Sequence, residues 1–379
     1  MIKYSLDKIN CYILIISTIL YFSQGVLYPA GKFLGLFFLF TILIISLIYF
    51  FKVLIKKDLF NGIGKVLTIF LLLNILYYIL SANKETNLNL LKMVLLNFLP
   101  FFPFVYFAKQ KILNRKALLT FFILSLPIFL VQVILSIYQL KFSFAKDEVV
   151  DNTAYILIGL LPFVFLFKNK LFTISSLLVI WYYMVQTSKR AAIVSGVLAI
   201  FLFLYQAIYE SKYKYKIQTY FLAILLTIGI SYFANKFYSE NEFLSERMEL
   251  MFSGDSTGRD ELINIHYDKW ASSNNTLIYI FGLGFNSLMM FSNIGAHNDW
   301  MDMLGSFGVF GLLIYIILWY YMIRELFVGK WNKDKKIIMI LFLGISLIAS
   351  LFFRWYNSPF PYMNYLILPY LIQTKSEEL

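Results

Sequence analysis

Residues 33–51 read FLGLFFLFTILIISLIYFF. Nineteen consecutive positions carry no charge, and the run is close to the roughly 20 apolar residues that a helix needs to cross the hydrocarbon core of a bilayer. Windows of this kind recur along the whole chain. Beyond 33–51 they fall at 9–28, 63–80, 91–107, 117–140 and 153–168 in the first half. In the second half they fall at 171–187, 191–209, 217–235, 301–323, 337–353 and 359–373. The composition agrees: of 379 residues, 60% are hydrophobic and only 14% charged, with mean hydropathy +0.73. Soluble domains run near 45–50% apolar and about 25% charged, so a water-soluble fold could not hide this much apolar surface. The expected fold class is an all-α polytopic integral membrane protein of about twelve transmembrane helices.

The net charge of +12 would suit a nucleic-acid partner in a soluble chain. Here the cations sit in short loops between apolar spans, and no nucleic-acid partner is expected. Lys3 and Lys8 precede the first apolar run, which reads as a span rather than a cleaved signal because further spans follow at once. With the N-terminus inside, 21 Lys/Arg fall on the inner side and 12 on the outer, together the 33 of the chain. That asymmetry follows the positive-inside rule and puts both termini in the cytoplasm. Lys189, Arg190 and Arg354 fall outside, against the bias. Such bases are costly and are either functional or anchors whose charged tips snorkel to the interface. The single Cys11 lies in the first apolar run, which excludes disulfides and cysteine metal sites.

The expected organisation is helices 1–9 over residues 1–235, a long extracytoplasmic loop over 236–300, and helices 10–12 with a cytoplasmic tail over 301–379. The loop holds both histidines, His266 and His297, and nine acids against four Lys/Arg. Loops of this length inside a compact protein are usually functional. Thr257 and Asp260 read as a capping box opening a helix through about Ser272. Helical spacing puts Arg259, Ile263, His266 and Trp270 on one face of it. Gly282 and Gly284 of IYIFGLGFNS permit a tight backbone path. In GAHNDWMDMLGSFGVFGLL, His297 stands at the membrane surface beside Asn298 and Asp299, and Asp302 lies one turn on. Gly305, Gly308 and Gly311 follow at spacings that give a thin helix face for close packing.

Three segments, QTSKRAAIVSG, STGRDELINIHYDKW with IFGLGFNS, and AHNDWMDMLGSFGVFGLL, together resemble the O-antigen polymerase and O-antigen ligase family of bacterial envelope glycosyltransferases. The likeness covers residues 186–311. It implies a GT-C-like fold in the cell inner (cytoplasmic) membrane. The activity implied is transfer of glycan from an undecaprenyl (polyprenyl) pyrophosphate carrier on the outer face, building O-antigen of lipopolysaccharide or a capsule. Arg190 and Arg259 match the family's arginines and are assigned to the pyrophosphate, which guanidinium forks suit. Lys189 and Arg354 extend that site by position alone. His297 matches the family's loop histidine and is the candidate base, with Asn298 or Asp299 orienting it. The expected partners are lipid-linked oligosaccharide repeat units, membrane lipids and a chain-length regulator protein. No cofactor is expected. Asp255, Asp260, Asp299 and Asp302 show no DxD-type spacing, so the reaction is expected to be metal-independent, with arginines stabilising the leaving group.

Polymerase is preferred to ligase because nothing reads as a separate domain recognising lipid A–core. A lipid-linked oligosaccharide flippase would show internal repeats and polar breaks near the midplane, neither of which is evident. A peptidoglycan-type polymerase would use Asp255 or Asp260 and leave the His-Asn segment unexplained.

Overall fold

The structure, a computed structural model, describes residues 2–29, 31, 33–56, 62–81, 83–144, 151–211, 216–240, 245–246, 249–250, 253, 259–287, 297–352, 355–356, 358 and 360–377. The first half holds α1 (Ile2–Phe22), α2 (Phe33–Ile55), α3 (Gly62–Leu80), α4 (Lys84–Phe98), α5 (Phe101–Lys109), α6 (Arg115–Phe144) and α7 (Ala154–Val164). Then come α8 (Lys170–Gln186), α9 (Arg190–Glu210), α10 (Lys216–Glu240), α11 (Arg259–Ala271), α12 (Thr276–Phe281), α13 (Asp299–Phe327), α14 (Lys333–Phe352) and α15 (Phe360–Gln373). Among the described residues the only strand-like pairing is one bridge, Gln24 with Tyr28. The fold is therefore all-α.

Among the described residues, seven segments are long and apolar enough to cross a membrane: Phe33–Ile55, Gly62–Leu80, Asn87–Lys109, Arg115–Phe142, Arg190–Glu210, Asp299–Phe327 and Lys333–Phe352. The protein is membrane-embedded. Five of the twelve expected windows, 9–28, 153–168, 171–187, 217–235 and 359–373, are not among these segments. The window at 153–168 becomes α7, eleven residues long, or about 16 Å at a rise of about 1.5 Å per residue. That is half a bilayer core. All of α7 but Tyr155 is buried, in a nest of α6, α8, α9, α14 and α15. Protein, not lipid, is its solvent, and a uniformly apolar sequence suits both. The window at 91–107 becomes two helices, α4 and α5, parted at Leu99–Pro100, because proline cannot donate to the ladder and its ring clashes with the turn before it.

Side-chain bonds fix which helix ends lie together. Gln206 Nε2 near the end of α9 donates to Asp334 Oδ1 at the start of α14 (2.9 Å), so these helices run antiparallel. A Cβ on Gly344 would come within 2.7 Å of Leu198 Cδ2, which keeps the pair in close register. Lys335 Nζ, at the start of α14, donates to Thr374 O and Oγ1 beyond α15 (2.7 and 2.9 Å). Lys375 pairs with Glu325 of α13, and Asp7 of α1 accepts from Tyr49 of α2 and Tyr106 of α5. All these groups gather at one end of the bundle. The starts of α4, α9 and α15 and the end of α14 therefore gather at the other, here called the site end, and Asn298 at the start of α13 is tied to it by its bond to Leu351 O of α14.

α13 is not the straight span that its glycines suggest. Gly308 takes φ 66° and ψ −165°, outside any helix. Tyr315 Oη nevertheless donates to Asp299 Oδ2 at 2.8 Å. On a straight helix these Cα atoms would stand about 24 Å apart, sixteen residues at about 1.5 Å each. The helix thus folds back at Gly308 into a short arm, 299–307, and a long arm, 309–327. The expected thin packing face through Gly305, Gly308 and Gly311 is corrected accordingly: Gly308 is the hinge, because glycine alone adopts its backbone without cost.

Candidate functional site

The hinge exposes carbonyls that have lost their helical partners, and buried carbonyls need donors. Leu283 N donates to Gly305 O (2.8 Å) and Gly284 N to Ser306 O (3.1 Å). Two stretches that read as separate motifs, FGLGF and GSFG, thus form one assembly. Gly282 (φ 79°) lies so close that a Cβ on it would stand 2.5 Å from Gly308 N. Tyr77 of α3 donates to Phe281 O (2.6 Å), and Asn87 of α4 exchanges bonds with Phe285 O and Asn286 (3.3 and 3.2 Å). The α12 loop is thereby riveted to α3 and α4 on one side and to α13 on the other.

The short arm of α13 carries the candidate catalytic residues. Asn298 is its N-cap: Oδ1 accepts from Met301 N (3.0 Å), and Nδ2 donates to Leu351 O on α14 (3.2 Å). Capping by asparagine satisfies an otherwise orphaned amide. Asp299 is fully buried, its Oδ2 accepting from Tyr315 and from Tyr356 N (3.3 Å). Trp300 Nε1 donates to Ser350 Oγ (3.2 Å), and the ring packs with Tyr315 and Trp319 at centroid distances of 5.0 and 6.1 Å. Asn298 and Asp299 therefore anchor the arm. His297 is the exposed residue before it and adopts φ 50°, a left-handed conformation uncommon outside glycine and easiest for Asn, Asp and His. Asp302, one turn on, is buried.

α11 lies across this arm. Ile263 packs on Met301, as does Leu304, His266 is fully buried, and Trp270 meets Tyr279 of α12 at 5.1 Å. The face expected from spacing is thus the inward one for Ile263, His266 and Trp270. The helix opens at Arg259 and ends at Ala271. The side chain of Arg259 lies outside the described residues, as do Arg354, Thr257 and Asp255.

At the same end, Arg190 is the first residue of α9 and is buried, and Lys189 before it stands over the Tyr155 ring at 5.5 Å. Ser188 takes φ 51°, and Thr187 O accepts from Asp151 N (3.1 Å). Asp151 is itself buried and closed on Thr153 N and Oγ1 (2.9 and 2.6 Å). The basic pair thus sits on a fixed turn. α14 packs against both α9 and α13, so Lys189–Arg190 and His297–Asp299 flank one helix end.

Tyr315, Tyr356 and Asp151 hold this end together, and sequence reasoning missed all three. Tyr315 and Asp299 meet only because the chain folds back between them. Tyr315→Phe removes one of the bonds to a buried carboxylate and leaves that oxygen poorly satisfied, at a cost of roughly 1–3 kcal/mol. Its expected outcome is a melting temperature in detergent several degrees lower; an unchanged value would show that the bond does not hold the arm.

Neither protein-family models nor curated proteins yield a match to this chain.

Proposed function

We propose that the protein is a polymerase of lipid-linked envelope glycans, working at the site end of the bundle. The observation that carries this reading is that the first and third segments of family likeness, far apart in sequence, flank the end of α14, while the second packs on the short arm of α13. A basic pair on a rigid turn stands there beside an exposed, conformationally constrained imidazole. The acceptor sugar's hydroxyl oxygen attacks the anomeric carbon of the donor. The carbon–oxygen bond to the pyrophosphate breaks, and its electron pair leaves with that group. His297 takes the hydroxyl proton, a role that suits an imidazole near neutral pH. Arg190 and Arg259, with Lys189 and Arg354, receive the charge of the departing pyrophosphate. Asn298 and Asp299 act as positioning residues, since both side-chain groups of Asn298 and Oδ2 of Asp299 are bonded in anchoring the arm.

In this reading all twelve apolar windows traverse or fill the membrane in a GT-C-like arrangement. The lysine-rich end faces the cytoplasm by the positive-inside rule, and the site end faces outward from the cytoplasmic membrane. The test is incubation of the purified protein with a polyprenyl-pyrophosphate-linked repeat unit and EDTA. A ladder of products supports a metal-independent polymerase. One transfer onto added lipid A–core without a ladder would make it a ligase, and no product from folded protein would favour a flippase.

A further inference from the structure

α12 is a short helix held at both ends. At its start Asn275 Oδ1 accepts from Leu277 N (2.9 Å), and at its end Gly282 turns the chain. Its level in the bundle follows from three contacts. Tyr77, whose hydroxyl binds Phe281 O, lies one turn before the end of α3, a membrane span. Gly62 at the other end of α3 stands against Tyr321 of the long arm of α13, and Tyr77 meets Phe307 at 4.8 Å. α3 and the long arm are therefore antiparallel and reach the site end together. That arm, 309–327, measures about 28 Å at about 1.5 Å per residue, close to a roughly 30 Å hydrocarbon core. Gly282, where α12 ends, lies against Gly308, where the arm begins. α12 is thus level with the last turn of two spans.

The face that α12 turns away from the protein is apolar. Tyr279 points inward, its ring on Trp270 and its hydroxyl on Ala271 O. Leu277, Ile280 and Phe281 recur at i, i+3 and i+4, one side of a helix, and all are exposed, Leu277 by 62%. Phe281 meets Phe310 of the long arm at 6.1 Å, and Phe310 is itself exposed with Val309 and Leu313. On α3, Leu76, Ile79 and Leu80 around Tyr77 are exposed as well. Residues 271–287 carry no charged side chain, whereas α11 just before them reads RDELINIHYDKWA. The backbone suits lipid too, since irregular chain is tolerated in a bilayer only where its polar groups are bonded. Ile278 O accepts from Gly282 N (2.7 Å), Phe281 O from Tyr77, and Leu283 N and Gly284 N reach the hinge carbonyls.

We propose that α12 is seated in the leaflet at the site end, with Leu277, Ile280 and Phe281 among the acyl chains of its phospholipids. Continuity selects lipid as the occupant: the face joins surfaces of α3 and α13 that the two spans present to the bilayer. The uncharged polar run Ser272–Asn275 then lies at headgroup level, and Tyr267 and Trp270 join the interfacial aromatic belt. α11 is tied to α12 through Trp270, Tyr279 and Ala271. It is thereby moored on the membrane across the short arm of α13. This inference is independent of the polymerase reading, because it concerns contact with lipid and needs no turnover.

The test is depth-dependent quenching. Cys11 is the only cysteine and is buried, so Cys11→Ala gives a background for single labels. In that background Leu277→Cys and, separately, Asp260→Cys carry a bimane fluorophore, in nanodiscs of phosphatidylcholine and phosphatidylglycerol. One quencher is aqueous iodide. The other is a lipid with a doxyl group near the glycerol end of its chain, because interfacial helix faces sink about 5–10 Å into the headgroup–acyl boundary. The ratio of lipid to iodide quenching should exceed unity at Leu277 and fall below it at Asp260, which is exposed on α11. Ile280→Cys, on the same face of α12, should follow Leu277→Cys. Iodide quenching at Leu277 equal to that at Asp260 would overturn the seat. Protection from both quenchers would overturn it in favour of a second copy of the chain on this face. Loss of lipid quenching on addition of polyprenyl phosphate would reassign the face to an isoprenoid.

Discussion

Gly308→Ala is expected to be strongly destabilising, as is Gly282→Ala across the same backbone contact. The added Cβ would meet Ile280 O and would stand 2.5 Å from Gly282 N, and both are backbone atoms of a loop pinned by Tyr77 and Asn87. A flexible side chain can step aside, but this loop cannot without surrendering its bonds to Gly305 O and Ser306 O. The residue also sits at φ 66°, where an L side chain costs about 1–2 kcal/mol. Each lost backbone bond adds about 0.5–1.5 kcal/mol net. Together these approach a total on the order of 3–5 kcal/mol, a large part of a stability that is typically about 5–15 kcal/mol. Two controls separate the causes. Gly284 has φ 106° with nothing near its Cβ position, so alanine there brings strain without collision. Gly229 lies in α10 with open space around it, so alanine there should be neutral or stabilising. The expected order of melting temperatures in detergent, measured by fluorescence-detected size exclusion, is Gly229→Ala above Gly284→Ala above Gly308→Ala. A Gly308→Ala protein as stable as Gly284→Ala would mean that the hinge and the α12 loop are not coupled.

This hinge also shows what the sequence did and did not disclose. Three glycines at i, i+3 and i+6 satisfy a helix-face pattern, and nothing local distinguishes a thin face from a fold-back. The decision is made by the FGLGF loop, whose amides reward the broken ladder. Burial was hidden for a related reason. Phe, Leu and Ile suit lipid and protein interior equally, so α7 reads as a span although it is a core helix of eleven residues. By contrast, α11 was readable in detail, since it borders water. There the polar and apolar sides differ, and Ile263, His266 and Trp270 stand on the side that faces the short arm of α13. The candidate site was legible as three segments. That the first and third flank one helix end was not, because α14, which packs against both, carries none of the likeness.

His297→Ala should lower turnover by roughly 10²–10⁴-fold, the usual contribution of a general base. Alanine also changes the backbone preference at φ 50°, so a second variant is needed to separate chemistry from placement. His297→Asn serves, because asparagine tolerates the left-handed region about as well as histidine but cannot take up a proton near neutral pH. The two variants should be equally inactive, while both keep the melting temperature of the parent within the range of an exposed substitution. Asp260, exposed on the second residue of α11, is the contrasting position. Asp260→Ala should only weaken polymerisation, since an exposed carboxylate there contributes field rather than a bond to the reacting hydroxyl. Arg190→Lys should fall between them: the charge remains, but the planar fork that pairs with two phosphate oxygens is lost. Product ladders from a polyprenyl-pyrophosphate donor would read all four. If Asp260→Ala is dead and His297→Asn retains most of its activity, the carboxylate-based mechanism takes the place of the imidazole one. The short arm of α13 would then be a scaffold for α11 rather than the bearer of the base. If instead His297→Asn alone is inactive and stably folded, the energy spent in bending α13 at Gly308 has a purpose. It holds one imidazole at a fixed point above the helix end where the basic pair waits.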